Sequence, residues 1–359
     1  MSKSADSSHT QHAQIAKLAN WAELQLQTVP SCMHKGQGLA EHWKALGGDA
    51  GFRRYFRLPP DIVVSGKKLL AVWSPPATEQ NDAFIAKGKY LFSCGISSPE
   101  VFFHDGEQGF FLLEDFGERM LFDVLNAENV NALYGEAFKE LVKLQESPAK
   151  RGIFGDYNGA ELLRELQVFD EWFVGALLGS PLSLGEQKML QQFYRSLCDS
   201  ALEQPQAIVH RDFHSRNLVY RPEQPLGVID FQDALIGPFT YDLVSLLRDC
   251  YVEWPQERVD EWLKVYWRLP HVQHTGASEA QFVRWFDWMG LQRHIKVLGV
   301  FSRLHLRDNK PAYLNDLPLV LSYVRSVVKR YAELAEFGGW LENRLVPIIN
   351  EQDWMNSPC

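Results

Sequence analysis

Residues 207–233 read AIVHRDFHSRNLVYRPEQPLGVIDFQD. Two apolar runs in this stretch have the composition of buried strands. The first, Ala207 to Val209, ends at His210-Arg211-Asp212; the second, Leu226 to Ile229, ends at Asp230-Phe231. Asn217 lies five positions after Asp212, and Asp230 lies eighteen positions after it. The pattern places two carboxylates and one amide at strand ends, where they can converge. Three hard oxygen donors at one point suit Mg²⁺ and a polyphosphate. Asp212 follows a strand and opens a loop, which is where a base that accepts a hydroxyl proton can be held ionised and aimed. An isolated His-Arg-Asp is a weak signal. With Asn at the fifth position and Asp after a second strand, the pattern is specific.

Upstream, residues 13–29 carry Ile15, Leu18, Ala22 and Leu26 at helical spacing, which predicts an N-terminal helix. Residues 42–46 read as a short strand, followed by Gly47-Gly48-Asp49-Ala50-Gly51 and then FRRYFRL. This glycine-rich turn has two readings: a plain hairpin turn, or a backbone cradle for phosphate. LLAVW at 69–73 is a buried-strand run, Asp82 to Cys94 a helix, and 100–104 with 109–114 a strand pair around Asp105-Gly106. Beyond Glu114-Asp115-Phe116-Gly117 the composition becomes helical. Helices are expected over 128–147, 160–178, 184–203, 239–251, 257–268, 279–308 and 317–345, with a break in 279–308 near Gly290 or Gly299. This order predicts an α+β chain in two lobes. Residues 1–114 form a β-rich N-lobe with one inserted helix, and residues 115–359 a helical C-lobe carrying the catalytic and metal loops.

The net charge of −9 argues against broad nucleic-acid binding, which needs a basic surface. Five scattered cysteines without a CxxC pair give neither a disulfide framework nor a zinc site. Residues 1–12 are polar and lack the apolar core of a signal peptide, and no apolar run is long enough to span a bilayer. A soluble cytoplasmic protein, without membrane or nucleic-acid partner, is expected; the oligomeric state is open.

HRDFHSRN together with VIDFQDALIGPFTYDL resembles the aminoglycoside phosphotransferase/choline kinase-like family, relatives of the protein kinases. The stretches GDAGFRRYFRL, FFLLEDFGERML, QPQAIVHRDFHSRNL and GLQRHIKVLGVFSRL extend the resemblance from residue 48 to residue 304. They are most similar to the bacterial branch that phosphorylates C1 of amino sugars in peptidoglycan recycling. The resemblance implies a two-lobed protein-kinase-like fold, ATP and Mg²⁺ as cofactors, Asp212 as catalytic base, and Asn217 and Asp230 as metal ligands. It also implies that Gly48, Asp49, Gly51, Phe52 and Arg53 cover the nucleotide phosphates. Glu114, Asp115 and Phe116 correspond to the hinge that holds adenine through backbone groups, and Asp242 to a support for the catalytic loop.

One departure matters. Such kinases carry a Lys on the third strand, but LLAVWSPP has none, and Lys67 and Lys68 precede the apolar run. Arg53, Arg54 and Arg57 are the candidates for the missing cation. For the acceptor site, His214, Arg216 and Asp233 share the mouth around Asp212. Asp233 reads either as a ligand of sugar hydroxyls or as a helix cap, and Arg216 as a partner of the transferred phosphoryl group or of a neighbouring carboxylate. Arg293, Lys296 and Arg303 lie on one face of 279–308. That face is either solvated or turned to an anionic acceptor. Trp172, Trp254, Trp285 and Trp288 are core residues or sugar-stacking rings. Three rival readings stay open: an aminoglycoside- or choline-type kinase, a nucleotide-binding regulator without catalysis, and a protein kinase.

Overall fold

The computed structural model describes residues 2–29, 42–47 and 52–355. The chain forms two compact units, one of residues 1–120 with 219–232, the other of residues 121–218 with 233–359. The sequence-based boundary at 114 therefore stops short of Met120. It also misses a return excursion of the chain into the first unit.

The first unit opens with helix α1 (Ser2–Gln27), followed by strands β1 (Lys44–Leu46), β2 (Arg54–Arg57), β3 (Val63–Val64) and β4 (Lys67–Trp73), helix α2 (Asn81–Ser93), and strands β5 (Val101–Asp105) and β6 (Phe110–Glu114). The strands form an antiparallel sheet in the order β1-β2-β4-β6-β5, with β3 paired to β4. Every residue of β6 is buried, because alternate side chains meet different elements. Phe110 and Leu112 pack with Leu18, Ala22 and Leu26 of α1, whereas Phe111 meets Phe84 of α2 edge to face. Gly109 has no alternative residue: its φ is +70°, and a Cβ there would stand 1.9 Å from the Ser74 carbonyl oxygen.

The chain continues into the second unit with α3 (Leu121–Val124), α4 (Val130–Glu146), α5 (Gly159–Val168), a π-helical segment Phe169–Leu177, α6 (Leu184–Leu202) and β7 (Gln206–Val209). The short β8 (Leu218–Val219) and β9 (Gly227–Val228) pair with each other within the excursion. Then come β10 (Leu235–Pro238), α7 (Thr240–Leu247), α8 (Gln256–Trp267), α9 (Pro270–Gln273), α10 (Glu279–Leu306) and α11 (Leu317–Val328). The partner of β7 is β10, antiparallel, with Ile208 opposite Ile236. The two strands recognised in the sequence thus belong to different ladders. Trp285 and Trp288 are core residues of α10.

α10 runs unbroken from Glu279 to Leu306, so the expected break near Gly290 or Gly299 does not exist. The glycine at 299 serves packing. A Cβ would come within 2.5 Å of the Val168 backbone, where α5 passes into the π-helical segment. Gly299→Ala forces rigid backbone apart and is expected to lower stability by about 3 kcal/mol, measured by urea unfolding. The expected single helix over 317–345 instead ends at Val328 and continues in short turns.

Asp170, on the π-helical segment, accepts a hydrogen bond from the Tyr194 hydroxyl. Burial pushes its carboxyl up to about 6, against that bond. The folded state therefore holds the proton more tightly than the unfolded chain. The destabilisation is absent below pH 4 and complete above pH 6. Asp170→Asn should raise the melting temperature at pH 8 and change it little at pH 4. The gain at pH 8 is about 1–2 kcal/mol after allowing for the carboxylate's partial exposure.

Candidate active site

β7 delivers the chain into a loop pinned from both ends. Its first anchor is Asp242, fully buried on α7: Oδ2 accepts the His210 N–H at 2.6 Å and Oδ1 the Arg211 N–H at 2.9 Å. The second is Asp249, just beyond α7, whose Oδ2 accepts the Ser215 N–H at 2.9 Å. Arg211 sits at φ +77°, a conformation that persists only where the surroundings over-determine it. Its guanidinium pairs with Glu165 of α5 and donates to the Asp233 carbonyl. Glu165 is a hub, taking Lys296 at 3.1 Å and the Tyr157 hydroxyl as well.

Asp212 stands between the anchors. Its backbone oxygen accepts from His214 N and Asn217 Nδ2, both at 3.0 Å, while its carboxylate makes no hydrogen bond to any described residue. Burial works against its charge. The fields of Lys296, His214, Arg293 and His210 outweigh that penalty and hold the carboxyl at about 2. The group is ionised at physiological pH and unoccupied by protein donors, as a base must be.

Arg293 and Lys296 do not form a solvated face. Arg293 is 3% exposed and donates to Ser245 Oγ at 2.6 Å, and Lys296 reaches the Tyr241 hydroxyl at 3.3 Å. His214 is buried with its ring edge-on to Tyr251, and burial lowers its pKa, so it is neutral near pH 7. Its Nδ1 has no partner among the described residues. Arg216 stacks over Tyr251 at 3.7 Å and over Phe122 at 4.9 Å, and it forms no ion pair among the described residues. Asp233 is exposed and precedes a strand, β10, so the helix-cap reading is ruled out.

Asn217 turns its amide nitrogen to the Asp212 carbonyl, which leaves Oδ1 as an unengaged hard donor. In the first unit, Asp230 follows β9 at φ +66° and is exposed, with one oxygen accepting from Gln232 Nε2 at 2.7 Å. Asn217 Oδ1 and Asp230 are oxygen donors of the class Mg²⁺ takes. Phe231 stacks on Phe84 with centroids 5.1 Å apart, beneath Gly88, where a Cβ would come 3.1 Å from its ring. Lys87 Nζ donates to the Gln232 carbonyl at 2.6 Å. α2 thus fixes the residues that follow Asp230.

The side chains of the expected hinge are all engaged. Glu114 takes Lys67 at 2.8 Å, Asp115 binds the Arg57 guanidinium through two nitrogens, and Phe116 lies beneath Arg221 at 4.0 Å. Lys67 and Lys68 belong to β4 and do not precede it, and Lys67 is committed to Glu100 and Glu114. Gly48, Asp49 and Gly51 lie outside the described residues. Phe52 is exposed, and Arg53 is buried in an ion pair with Glu79 at 2.8 Å. Glu79, Glu165 and Asp249 were not singled out from sequence. No local pattern marks them, since each acts across a fold contact.

Residues 42–283 match the model of the phosphotransferase enzyme family. The N-acetylmuramate/N-acetylglucosamine kinase of Pseudomonas putida is 38% identical over 328 residues, covering 90% of this chain and 94% of that protein. The protein of the same name from Neisseria meningitidis is 41% identical over 311 residues, covering 85% and 90%. An ADP-bound aminoglycoside phosphotransferase superposes with a TM-score of 0.53 at 15% identity, covering 86% of this chain and 97% of that one. That likeness identifies the fold as the two-lobed, kinase-like α+β type. On the sequence match over most of its length, the chain belongs to the phosphotransferase enzyme family.

Proposed function

We propose that this chain is an ATP-dependent amino-sugar kinase that phosphorylates the C1 hydroxyl of N-acetylmuramate and N-acetylglucosamine in cytoplasmic cell-wall recycling. The observation that carries the reading is the Asp212 carboxylate, ionised, without a hydrogen bond to any described residue, and held in a loop anchored by Asp242 and Asp249. Asp212 orients the C1 hydroxyl and takes its proton as the oxygen bonds to the γ-phosphorus. The bond to the β–γ bridging oxygen breaks, and ADP departs. Asn217 and Asp230 would be the ligands of Mg²⁺, which would neutralise charge on the phosphate oxygens. Phe52 and Arg53, with Gly48, Asp49 and Gly51, cover the phosphates, and the backbone of 114–116 receives adenine. The exposed Asp233 carboxylate accepts sugar hydroxyls, and His214 and Arg216 complete the acceptor wall. The relatives' names support the acceptor, and the chemistry of the donor set supports the metal.

The position of transfer is tested by treating the product with borohydride. A sugar phosphorylated at C1 has no free reducing end and resists reduction. A product that is reduced carries its phosphate on another hydroxyl, which contradicts the anomeric assignment.

A further inference from the structure

The phosphotransferase reading needs a cation on the polyphosphate besides the metal, and β4 carries its two lysines at its first two positions, Lys67 paired with Glu100 and Glu114 and Lys68 exposed opposite Val63. The first unit contains another arrangement. Arg53 lies directly before β2, and its guanidinium reaches across to the residue that follows β4. There Nε donates to Ser74 Oγ at 3.2 Å. Ser74, itself fully buried, donates its hydroxyl to Asn81 Oδ1 at 2.6 Å, and Asn81 Nδ2 donates to the Ser74 carbonyl at 3.0 Å. Nη2 of Arg53 pairs with Glu79 at 2.8 Å, and the guanidinium lies 4.9 Å above the Phe84 ring of α2. The other Glu79 oxygen takes the Phe52 N–H at 3.3 Å. One carboxylate therefore ties the Phe52 backbone and the cation together. Phe84 also stacks on Phe231, next to Asp230, and Tyr55 lies within the fields of both Arg53 and Asp230.

Three other basic side chains of this unit are engaged elsewhere. Arg57 is chelated by Asp115 and bonded to Glu118, Lys67 is paired with Glu114 and Glu100, and Lys87 holds the Gln232 carbonyl. Arg54 is exposed and turns back to the Arg53 carbonyl.

We propose that Arg53 is the residue that grips the nucleotide polyphosphate in place of a strand lysine, and that Glu79 and Ser74 are the positioning residues that aim it. The assignment rests on the kinase reading above. A planar guanidinium with five donors can keep Glu79 and Ser74 while presenting further N–H groups to phosphate oxygens, which an ammonium cannot do in the same geometry.

Equilibrium binding of ATP and of adenosine to the full chain, with Mg²⁺ present, separates a phosphate contact from a structural role and needs no acceptor. In Arg53→Gln, ATP affinity should fall at least tenfold while adenosine affinity stays within twofold. Arg53→Lys should recover part of the loss. Glu79→Gln, which leaves the cation but loosens its aim, should weaken ATP by a smaller factor, about threefold, again without an effect on adenosine. An Arg53→Gln or Arg53→Lys protein that keeps wild-type ATP affinity overturns the assignment. So does a loss shared equally by ATP and adenosine, which reports a damaged fold. If Arg53→Gln fails to fold, the Glu79→Gln ratio of ATP to adenosine affinity decides. A wild-type chain that binds ATP but phosphorylates no acceptor would sink the kinase reading and leave this assignment to the binding ratios.

Discussion

Asp212→Asn is expected to lower kcat by about a thousandfold, within the range that a positioned general base contributes. Nucleotide affinity should stay within threefold of wild type. The geometry separates these effects. The Asp212 carboxylate makes no hydrogen bond to a described residue, so its replacement leaves no protein donor orphaned. The loop is held through the backbone by Asp242 and Asp249, and both anchors survive the substitution. A stability change should nevertheless be visible. A carboxyl held at about 2 is depressed below its unfolded value, so its ionised form stabilises the fold above about pH 4, and that contribution fades as pH falls through 2. At neutral pH the Asn variant should lose up to about 2 kcal/mol, too little to unfold a domain of ordinary stability. Single-turnover kinetics beside urea unfolding would report both quantities. A variant with normal kcat would exclude Asp212 as the base.

Asp242→Ala should also lower activity, by about a hundredfold, without touching the substrate. Two opposing terms set its stability. Removing the carboxylate strands the buried N–H groups of His210 and Arg211, at about 1–3 kcal/mol each. It also removes a charge that burial disfavours, since the Asp242 carboxyl is pushed up to about 6 against the pull of His210 and the two N–H bonds. That relief returns about 3 kcal/mol near neutral pH. The terms are comparable, so the net stability change should be small at pH 7 and more unfavourable at pH 5, where the wild-type carboxyl is largely protonated. Activity has no such compensation. Arg211 holds its left-handed backbone only because the loop is pinned, and a displacement of about 1 Å at the adjacent base can cost a hundredfold in rate. The expected result is a kcat lower by about a hundredfold with KM values little changed. An Asp242→Ala protein with wild-type kcat would show that Glu165 and Asp249 suffice to hold the loop.

Much of this was legible in the sequence because its signals are local. The spacing of Asp212, Asn217 and Asp230, the apolar runs that became β4, β6 and β7, and the helical periodicities all lie within short windows. The misreadings arose where the chain depends on distant partners. That β7 takes β10 as its partner was not legible, because strand pairing is decided by topology, not composition. Gly299 looked like a helix breaker, yet it is required by the Val168 backbone lying against α10. Arg293 and Lys296 have the spacing of a solvated stripe. They are withdrawn from solvent, Arg293 fully and Lys296 in part, because Glu165, Tyr241 and Ser245, drawn from α5 and α7, were brought to meet them. Glu79 and Asp249 left no trace in the sequence, since an ordinary acidic residue acquires a role only through the backbone N–H group it reaches.

The central claim is phosphoryl transfer from ATP to an amino sugar. Its most direct test is incubation of the full chain with Mg²⁺-ATP and, in parallel, N-acetylmuramate, N-acetylglucosamine, choline and kanamycin, with each acceptor weighed by mass spectrometry. One phosphoryl group should be added to each of the two amino sugars, abolished by Asp212→Asn, and none to choline or kanamycin. Phosphate on choline or kanamycin alone, or on no acceptor while ATP is still bound, would contradict it.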